Sequence, residues 1–277
     1  MINHFAYTSM TGGTASNQQL AVTANNLANA QTPGFREVIS AYRTDPIKGL
    51  GADSRAFVAD TTPGNNFTTG QIKTTGNTYD LAIKGDGLFV VRKPDGTEAY
   101  TRSGQFFVNE QGVLQAGRDV PVLGTGGTIT IPPNAIVQIA EDGQVFTQLP
   151  GTQFLNQAGK LKLVNPNPSD LVRDEDGLFN LPGGQAAVDA TVKVVQGALE
   201  LSNVNPAQSM VQIIAQTRLN DLNIRSIQAA DTNARSAVSL LSLSKSYLKK
   251  KVNYVKVIVD CKNWDGRPAS QLRRYFA

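Results

Sequence analysis

The chain has 277 residues, 40% hydrophobic and only 17% charged, enough for one large domain or two modest ones. One cysteine, Cys261, and one histidine, His4, argue against a disulfide framework, a Cys-based zinc site and a His-dependent catalytic triad. The net charge of +4 is local: residues 245–277 hold nine Lys or Arg against two Asp, and the rest holds 17 basic and 20 acidic residues, so the body carries no nucleic-acid footprint.

The first predicted element is a helix over residues 3–32. Asn3, Ala6, Met10, Gly13, Asn17, Leu20, Ala24 and Leu27 recur at alternating spacings of three and four, the a/d pattern of a coiled-coil seam. The seam is weak, with two Asn and a Gly. Pro33 disfavours helix at Thr32, and Pro33-Gly34 makes a turn. The N-terminus lacks the charged and apolar regions of a secretory signal peptide, and no apolar run approaches the roughly 18 residues of a membrane span. Residues 36–70, rich in Gly, Thr and Asp, read as an extended or irregular connector.

From 71 to 200 the pattern is β. "YDLAIKG", "GLFVVRK", "TEAYTR", "TITI", "AIVQIA", "KLKLV" and "ATVKVV" are short and rich in β-branched or aromatic residues. Asp95-Gly96, Asn109 to Gly112 and Asp142-Gly143 are turn signals, and their density favours an antiparallel sheet or sandwich over βαβ units. Tyr100, Phe106 and Phe107 are read as sheet packing.

Residues 206–243 return to helix, with Asn205 as N-cap and Pro206 at the first helical position. Met210, Ile213, Thr217, Asn220, Ile224, Ile227, Asp231, Ala234, Val238 and Leu241 repeat the three-four alternation. The expected fold class is α+β, with N- and C-terminal coiled-coil helices flanking a mainly antiparallel β body. The expected segments are an N-terminal helix (1–35), a connector (36–70), a β domain (71–200), a C-terminal helix (201–244) and an atypical basic tail (245–277). The two helices together form one core helical domain. They can pair with each other or with copies in neighbouring subunits.

The end of the first helix, "NNLANAQTPGF", raises a physical question. Asn is a poor helix former, because its amide competes for backbone groups. On the heptad register Asn25, Asn26 and Asn29 fall outside the seam, where a solvated helix usually carries charge. Yet no Asp, Glu, Lys or Arg precedes Arg36. An outer face of amides, hydroxyls and alanines can be covered by a second layer of contacts, since amides both donate and accept. The alternative is a frayed polar terminus.

"ANNLANAQTPGF" is similar to the N-terminal signature of the bacterial flagellar axial proteins, the rod and hook family. "TGNTYDLAIKGDGLFVVRKPDGTEAYTRSGQF" resembles that family's central β motif, and "GALELSNVNPAQSMVQIIAQTR" resembles the start of its C-terminal helix. "LKLVNP", "EDGLF" and the short body resemble the proximal-rod members, with a distal-rod or hook-type member as the alternative. The resemblance implies a structural subunit of the basal-body rod, the periplasmic drive shaft. Its terminal helices would pack in the inner wall of a hollow shaft, with the β domain outside. It implies as partners copies of the chain itself, other rod proteins and the flagellar export apparatus, which would replace a cleavable signal peptide. On this reading the assembly contacts are carried by Met10, Asn17, Leu20, Asn25, Asn26, Leu27 and Asn29 in the first helix. In the second they are carried by Met210, Ile213, Ile224, Ile227, Val238 and Leu241.

No catalytic set, cofactor site or metal site is expected, and no small-molecule substrate or nucleic acid. "KGDGLF" (Lys84 to Phe89) lacks the spacing and following Lys-Ser/Thr of a phosphate loop and is read as a hairpin turn. Asp174, Glu175 and Asp176 lack the alternating spacing of a calcium loop. His4 has no partner constellation and is read as an interface or solvent residue. Rival readings are a secreted β-rich adhesin-like binding module, which needs no paired terminal heptads, and an enzyme, which needs a pocket of convergent ionisable groups. The tail holds the only Cys and the only Trp. It is read as an accidental extension, with a basic membrane- or nucleic-acid-binding segment as the alternative, and "VNYVKVIV" within it has strand character.

Overall fold

The structure is a computed structural model that describes residues 2–46, 56–60, 64–117 and 119–262, with side chains over 9–41, 64–117 and 119–242. Two helices, α1 (Ile2–Ala28) and α2 (Pro206–Lys262), bracket a series of short, mainly antiparallel strands. The chain divides into two compact units. One comprises Ala15–Asp45 and Val58–Arg218, and the other comprises Met1–Thr14, Pro46–Phe57 and Leu219–Ala277.

The first unit contains the β body. Its largest sheet has five strands, in which Leu88–Arg92 and Glu98–Thr101 form a hairpin flanked by Leu163–Val164 on one side. Phe179–Asn180 and then Val172–Arg173 continue it on the other. At the Asp95-Gly96 turn the Asp95 carboxylate accepts from the Thr97 N–H and hydroxyl, which also holds that carboxyl below its ordinary pKa. The strand reads Leu-Phe-Val-Val because both its faces are covered. Phe89 and Val91 enter one core cluster with Leu81, Ile83 and Leu114, and Leu88 and Val90 enter another with Tyr100, Val164 and Phe179. Burying each such side chain contributes about 1.5–3 kcal/mol. The Tyr100 hydroxyl, also buried, accepts from the Ala186 N–H at 2.8 Å. A second sheet, Ile136–Ile139, Gln144–Gln148 and Asn156–Lys160, turns at Asp142-Gly143 and buries Val137, Ile139 and Val145.

The connector contains short extended strands. Val38–Ile39 pairs with Gly64–Asn65, and Tyr42–Pro46 with Ala56–Asp60.

Three sequence expectations differ from what is observed. Lys84 to Phe89 is a turn but not a hairpin: Leu81–Lys84 pairs with Lys193–Gln196, so the chain crosses between sheets there. Gly85 and Gly87, at φ +86° and +130°, supply the left-handed backbone of this turn. Phe107 is 42% exposed rather than packed, because Phe106 takes the core side of the alternation. Finally, "VNYVKVIV" is helical: α2 runs unbroken to Lys262, with no Gly or Pro between Ala207 and Asp265 to stop it. The side chains of Asn3, His4, Ala6 and Cys261, and residues 263–277, lie outside the described set.

Candidate functional site

Within the β-containing unit, the chain leaving α1, the chain about to start α2 and the β body meet at one carboxylate. Glu200 lies on the strand Ala198–Glu200, six residues before Pro206. Its Oε1 accepts from Arg36 Nη1 at 2.9 Å and from the Gly70 N–H at 2.8 Å. Its Oε2 accepts from Arg102 Nε at 2.5 Å. All three charged residues are about 2% exposed. The Glu200 carbonyl accepts from the Gly34 N–H at 2.8 Å. Burial pulls the Arg36 guanidinium below its ordinary pKa, and Glu200 works against that shift. Removing one partner from a buried pair of this kind costs about 3–5 kcal/mol.

Arg102 clarifies the turn that superficially resembles a phosphate loop. A phosphate loop presents N–H groups to an anion. Here the carbonyls of Ile83, Gly85 and Gly87 converge on the Arg102 guanidinium. The turn cradles a cation, and that cation belongs to the protein.

The "TPGF" turn docks on the same place. Gly34 sits at φ +70°, and a Cβ there would lie 2.3 Å from Ser103 N and 2.4 Å from Arg102 C. Only glycine satisfies both the backbone conformation and that approach. Phe35 lies under Arg173, whose guanidinium carbon is 4.3 Å from the ring centroid and whose Nη1 donates to the Arg36 carbonyl at 2.8 Å.

The asparagines beside this turn act locally. Asn26 is buried; its Nδ2 donates to the Val38 carbonyl and its Oδ1 accepts from the Val38 N–H, both at 2.9 Å. One amide thus ties the helix to the chain beyond the turn, as a strand neighbour would. Asn29 Nδ2 donates to the Asn25 carbonyl, and Asn29 Oδ1 accepts from the Thr32 hydroxyl, closing the helix end. Asn25 is exposed. At the start of α2, Asn205 Oδ1 accepts from the N–H groups of Ala207 and Gln208.

The helices show an inverted pattern. In the β-containing unit, Ser16 Oγ donates to the Gln216 carbonyl at 3.2 Å and Gln216 Nε2 donates to Thr23 Oγ1 at 3.2 Å. Ser209, Thr23 and Gln216 are buried, while Met210, Val211 and Ile214 are more than half exposed. In the other unit, Gly12 and Gly13 approach Asn223. There Ala230 is buried, whereas Leu219, Leu222, Ile224, Val238, Leu240 and Leu241 are exposed by 45–70%. Besides half-buried Ser226, the sheltered positions of α2 run Ser209, Ile213, Gln216, Asn220, Asn223, Ile227, Ala230, Ala234 and Ala237. They share every second position with the heptad read from the sequence and lie one residue earlier at the others. The sheltered positions within the chain are therefore mostly small or polar, with Ile213 and Ile227 among them, and most of the larger apolar side chains stand outside on several sides.

The other sequence-singled positions distribute as follows. Met10 and Asn17 are exposed, as are Met210, Ile224, Val238 and Leu241. Leu20, Leu27, Asn29, Ile213 and Ile227 are half-buried. Asp174 receives the Lys93 ammonium and the Asn180 amide. No cluster of His, Cys, Asp or Glu suited to a metal occurs among the described residues, and no described helix is long and apolar enough to cross a membrane.

Arg36, Arg102 and Glu200 were not anticipated. Each lies in or beside one of the three stretches that carry the family resemblance, and that shared location was the available signal. Comparison with known proteins points to the same regions. Residues 7–36 match the family described as flagella basal body rod protein, and residues 82–147 match the flagellar hook protein FlgE/F/G D1 domain. Residues 195–240 match the flagellar basal body rod FlgEFG protein C-terminal family. The chain is 38% identical over 252 residues to the flagellar basal-body rod protein FlgF of Salmonella typhimurium, covering 88% of this chain and 100% of that relative. Identity and coverage are the same for FlgF of Escherichia coli. For FlgF of Caulobacter vibrioides the identity is 36% over 232 residues, covering 81% of this chain and 92% of the relative.

Proposed function

The chain belongs to the flagellar basal-body rod protein family, and from that membership we infer that it is a structural, FlgF-like subunit of the rod, located in the basal body and serving motility. It polymerises with copies of itself and with other rod proteins through α1 and α2, coiled-coil fashion, as part of the periplasm-spanning drive shaft. The β body forms the outer domain. The flagellar export apparatus delivers the chain, and no catalytic, nucleic-acid or small-molecule role is assigned to it.

One observation supports this mechanism above the others: of its described side chains α2 buries Ser209, Gln216 and Ala230, and it leaves Met210, Leu222, Ile224 and Leu241 exposed. A helix that is apolar on several sides is normally enclosed by neighbours. The Gly12-Gly13 pair agrees. Each glycine inside a helix costs about 1 kcal/mol relative to alanine. A Cβ at Gly12 would still lie an ordinary 3.7 Å from Asn223, so packing within the chain does not demand the glycine. Close approach by a neighbouring helix in the shaft does.

The test is deletion of the gene in its own flagellated bacterium, followed by complementation. The deletion strain should lose swimming and complete rods, and the gene in trans should restore both. Normal swimming by the deletion strain would overturn the assignment.

A further inference from the structure

The cluster around Glu200 is not charge-balanced. Among the described side chains buried there, Arg36 and Arg102 are cations and only Glu200 is an anion. Glu200 has both oxygens occupied. Arg102 places Nε on Glu200 and its terminal nitrogens on three carbonyls. Arg36 is less complete. Its Nη1 serves Glu200 and the Thr68 carbonyl, but its Nε is buried with no hydrogen-bond partner. A buried guanidinium N–H left unpaired is unfavourable, and such groups ordinarily find a partner.

Both arginines line a cleft of about 410 Å³, with Asn165 and Asn167 on its wall and exposed Asp86 at its rim. Two buried cations against one buried anion, with an unpaired charged donor on an arginine of the cleft wall, favour an anion in the cleft, and exposed Asp86 offsets part of that preference. The volume exceeds the needs of a single small ion. The Asn165 and Asn167 amides can donate to and accept from a peptide backbone on either side of an inserted acidic residue. Pro166 and Pro168 stiffen that wall.

We propose that this cleft receives an aspartate or glutamate side chain presented by a neighbouring subunit of the rod. The proposal rests on the rod-subunit reading. A second copy could not supply the acid from α1, because no Asp or Glu precedes Glu37, so it comes from another acid-bearing segment. Asp86 opposes the incoming carboxylate and partly offsets Arg36, keeping the contact weak in the free subunit. High local concentration in the assembled shaft then fills the cleft.

The experiment has two arms. In the first, Nε–Hε signals of the full-length, nitrogen-labelled chain are followed by NMR during titration with acetyl-Ala-Glu-Ala-amide, acetyl-Ala-Gln-Ala-amide, acetate or inorganic phosphate. The Glu peptide should shift the Arg36 signal saturably, and the Gln peptide should not. Asp86→Asn should tighten the Glu peptide by about three-fold or more, since it removes a like charge at a partly exposed site. Asn165→Ala should weaken it. No saturable shift with any probe overturns the site, and acetate or phosphate binding as tightly as the peptide makes it a free-anion site instead. In the second arm, a photo-crosslinking residue replaces exposed Asn167 and basal bodies are purified. A cross-link to an acidic segment of an adjacent rod subunit is expected. Basal bodies that contain the chain but give no adduct overturn the proposal, whereas basal bodies lacking the chain count against the rod assignment itself.

Discussion

Gly34→Ala isolates what the "TPGF" turn contributes. Two costs can be worked out. Alanine at φ +70° is in the left-handed region, which costs an L-residue about 1–2 kcal/mol. The new Cβ would also lie 2.3 Å from Ser103 N and 2.4 Å from Arg102 C. Both are backbone atoms, so no flexible side-chain end can yield. Relief requires moving the turn away from Arg102, and overpacking of that kind costs about 1–3 kcal/mol. The combined loss is about 2–5 kcal/mol, a large share of the roughly 5–15 kcal/mol typical of a folded domain. Gly76→Ala is the matched control: φ is +76° and nothing lies within 4 Å, so only the conformational cost applies. In urea titrations followed by circular dichroism, Gly34→Ala should lower the midpoint by about 1–2.5 M, at a slope near 2 kcal/mol per M. Gly76→Ala should lower it by roughly half as much or less. Equal losses for the two variants would refute the docking of this turn on Arg102 and Ser103.

Asn26→Ala should destabilise the chain by about 1–3 kcal/mol, because it leaves the Val38 N–H and carbonyl without their amide partner, while exposed Asn25→Ala should change little in the same titration. The fragment 71–200 is proposed to fold alone, since both core clusters draw their buried members from it; a circular dichroism spectrum dominated by helix, or by random coil, would refute that boundary. A stop codon after Ser244 should preserve or improve incorporation into the rod, because the nine basic residues of the tail would otherwise need partners in a packed shaft. Swarming and basal-body incorporation of the truncated and full-length chains check it, and loss of assembly on truncation would make the tail functional.

How much could be read in advance depended on the range of the interaction. The hairpin at Asp95-Gly96 and the cap at Asn205-Pro206 were legible because cause and consequence lie within a few residues. The alternation in "LFVV" was unreadable for a definite reason: with core on both faces, the period-two signal vanishes. Asn26 was legible as an oddity, but its use was hidden, since Val38 reaches it only after the Gly34 turn reverses the chain. The Glu200 cluster joins residues 36, 102 and 200, and no local pattern connects such distant charges. In α2 the heptad read from the sequence coincides with the sheltered positions only at alternate places, Ile213, Asn220, Ile227 and Ala234. Pattern reading assigns apolar residues to the nearest seam, whereas this helix shelters Ser209, Gln216 and Ala230 and leaves Met210, Ile224 and Val238 outside. The sequence of an assembling subunit encodes its neighbours as well as its own fold.

The central claim is that this exposed apolar surface of α2 is the polymerisation contact of a rod subunit. It is tested most directly by placing a tagged chain and its Ile224→Asp variant in the deletion strain and quantifying each in purified basal bodies. Ile224 is 45% exposed, so the variant should keep the urea midpoint of the parent chain. In a desolvated contact between subunits the same charge would cost several kcal/mol. The account predicts the parent chain in the rod, and a variant that is folded and exported but absent from basal bodies. Incorporation of the variant at the parent's level, with normal swimming, would contradict it.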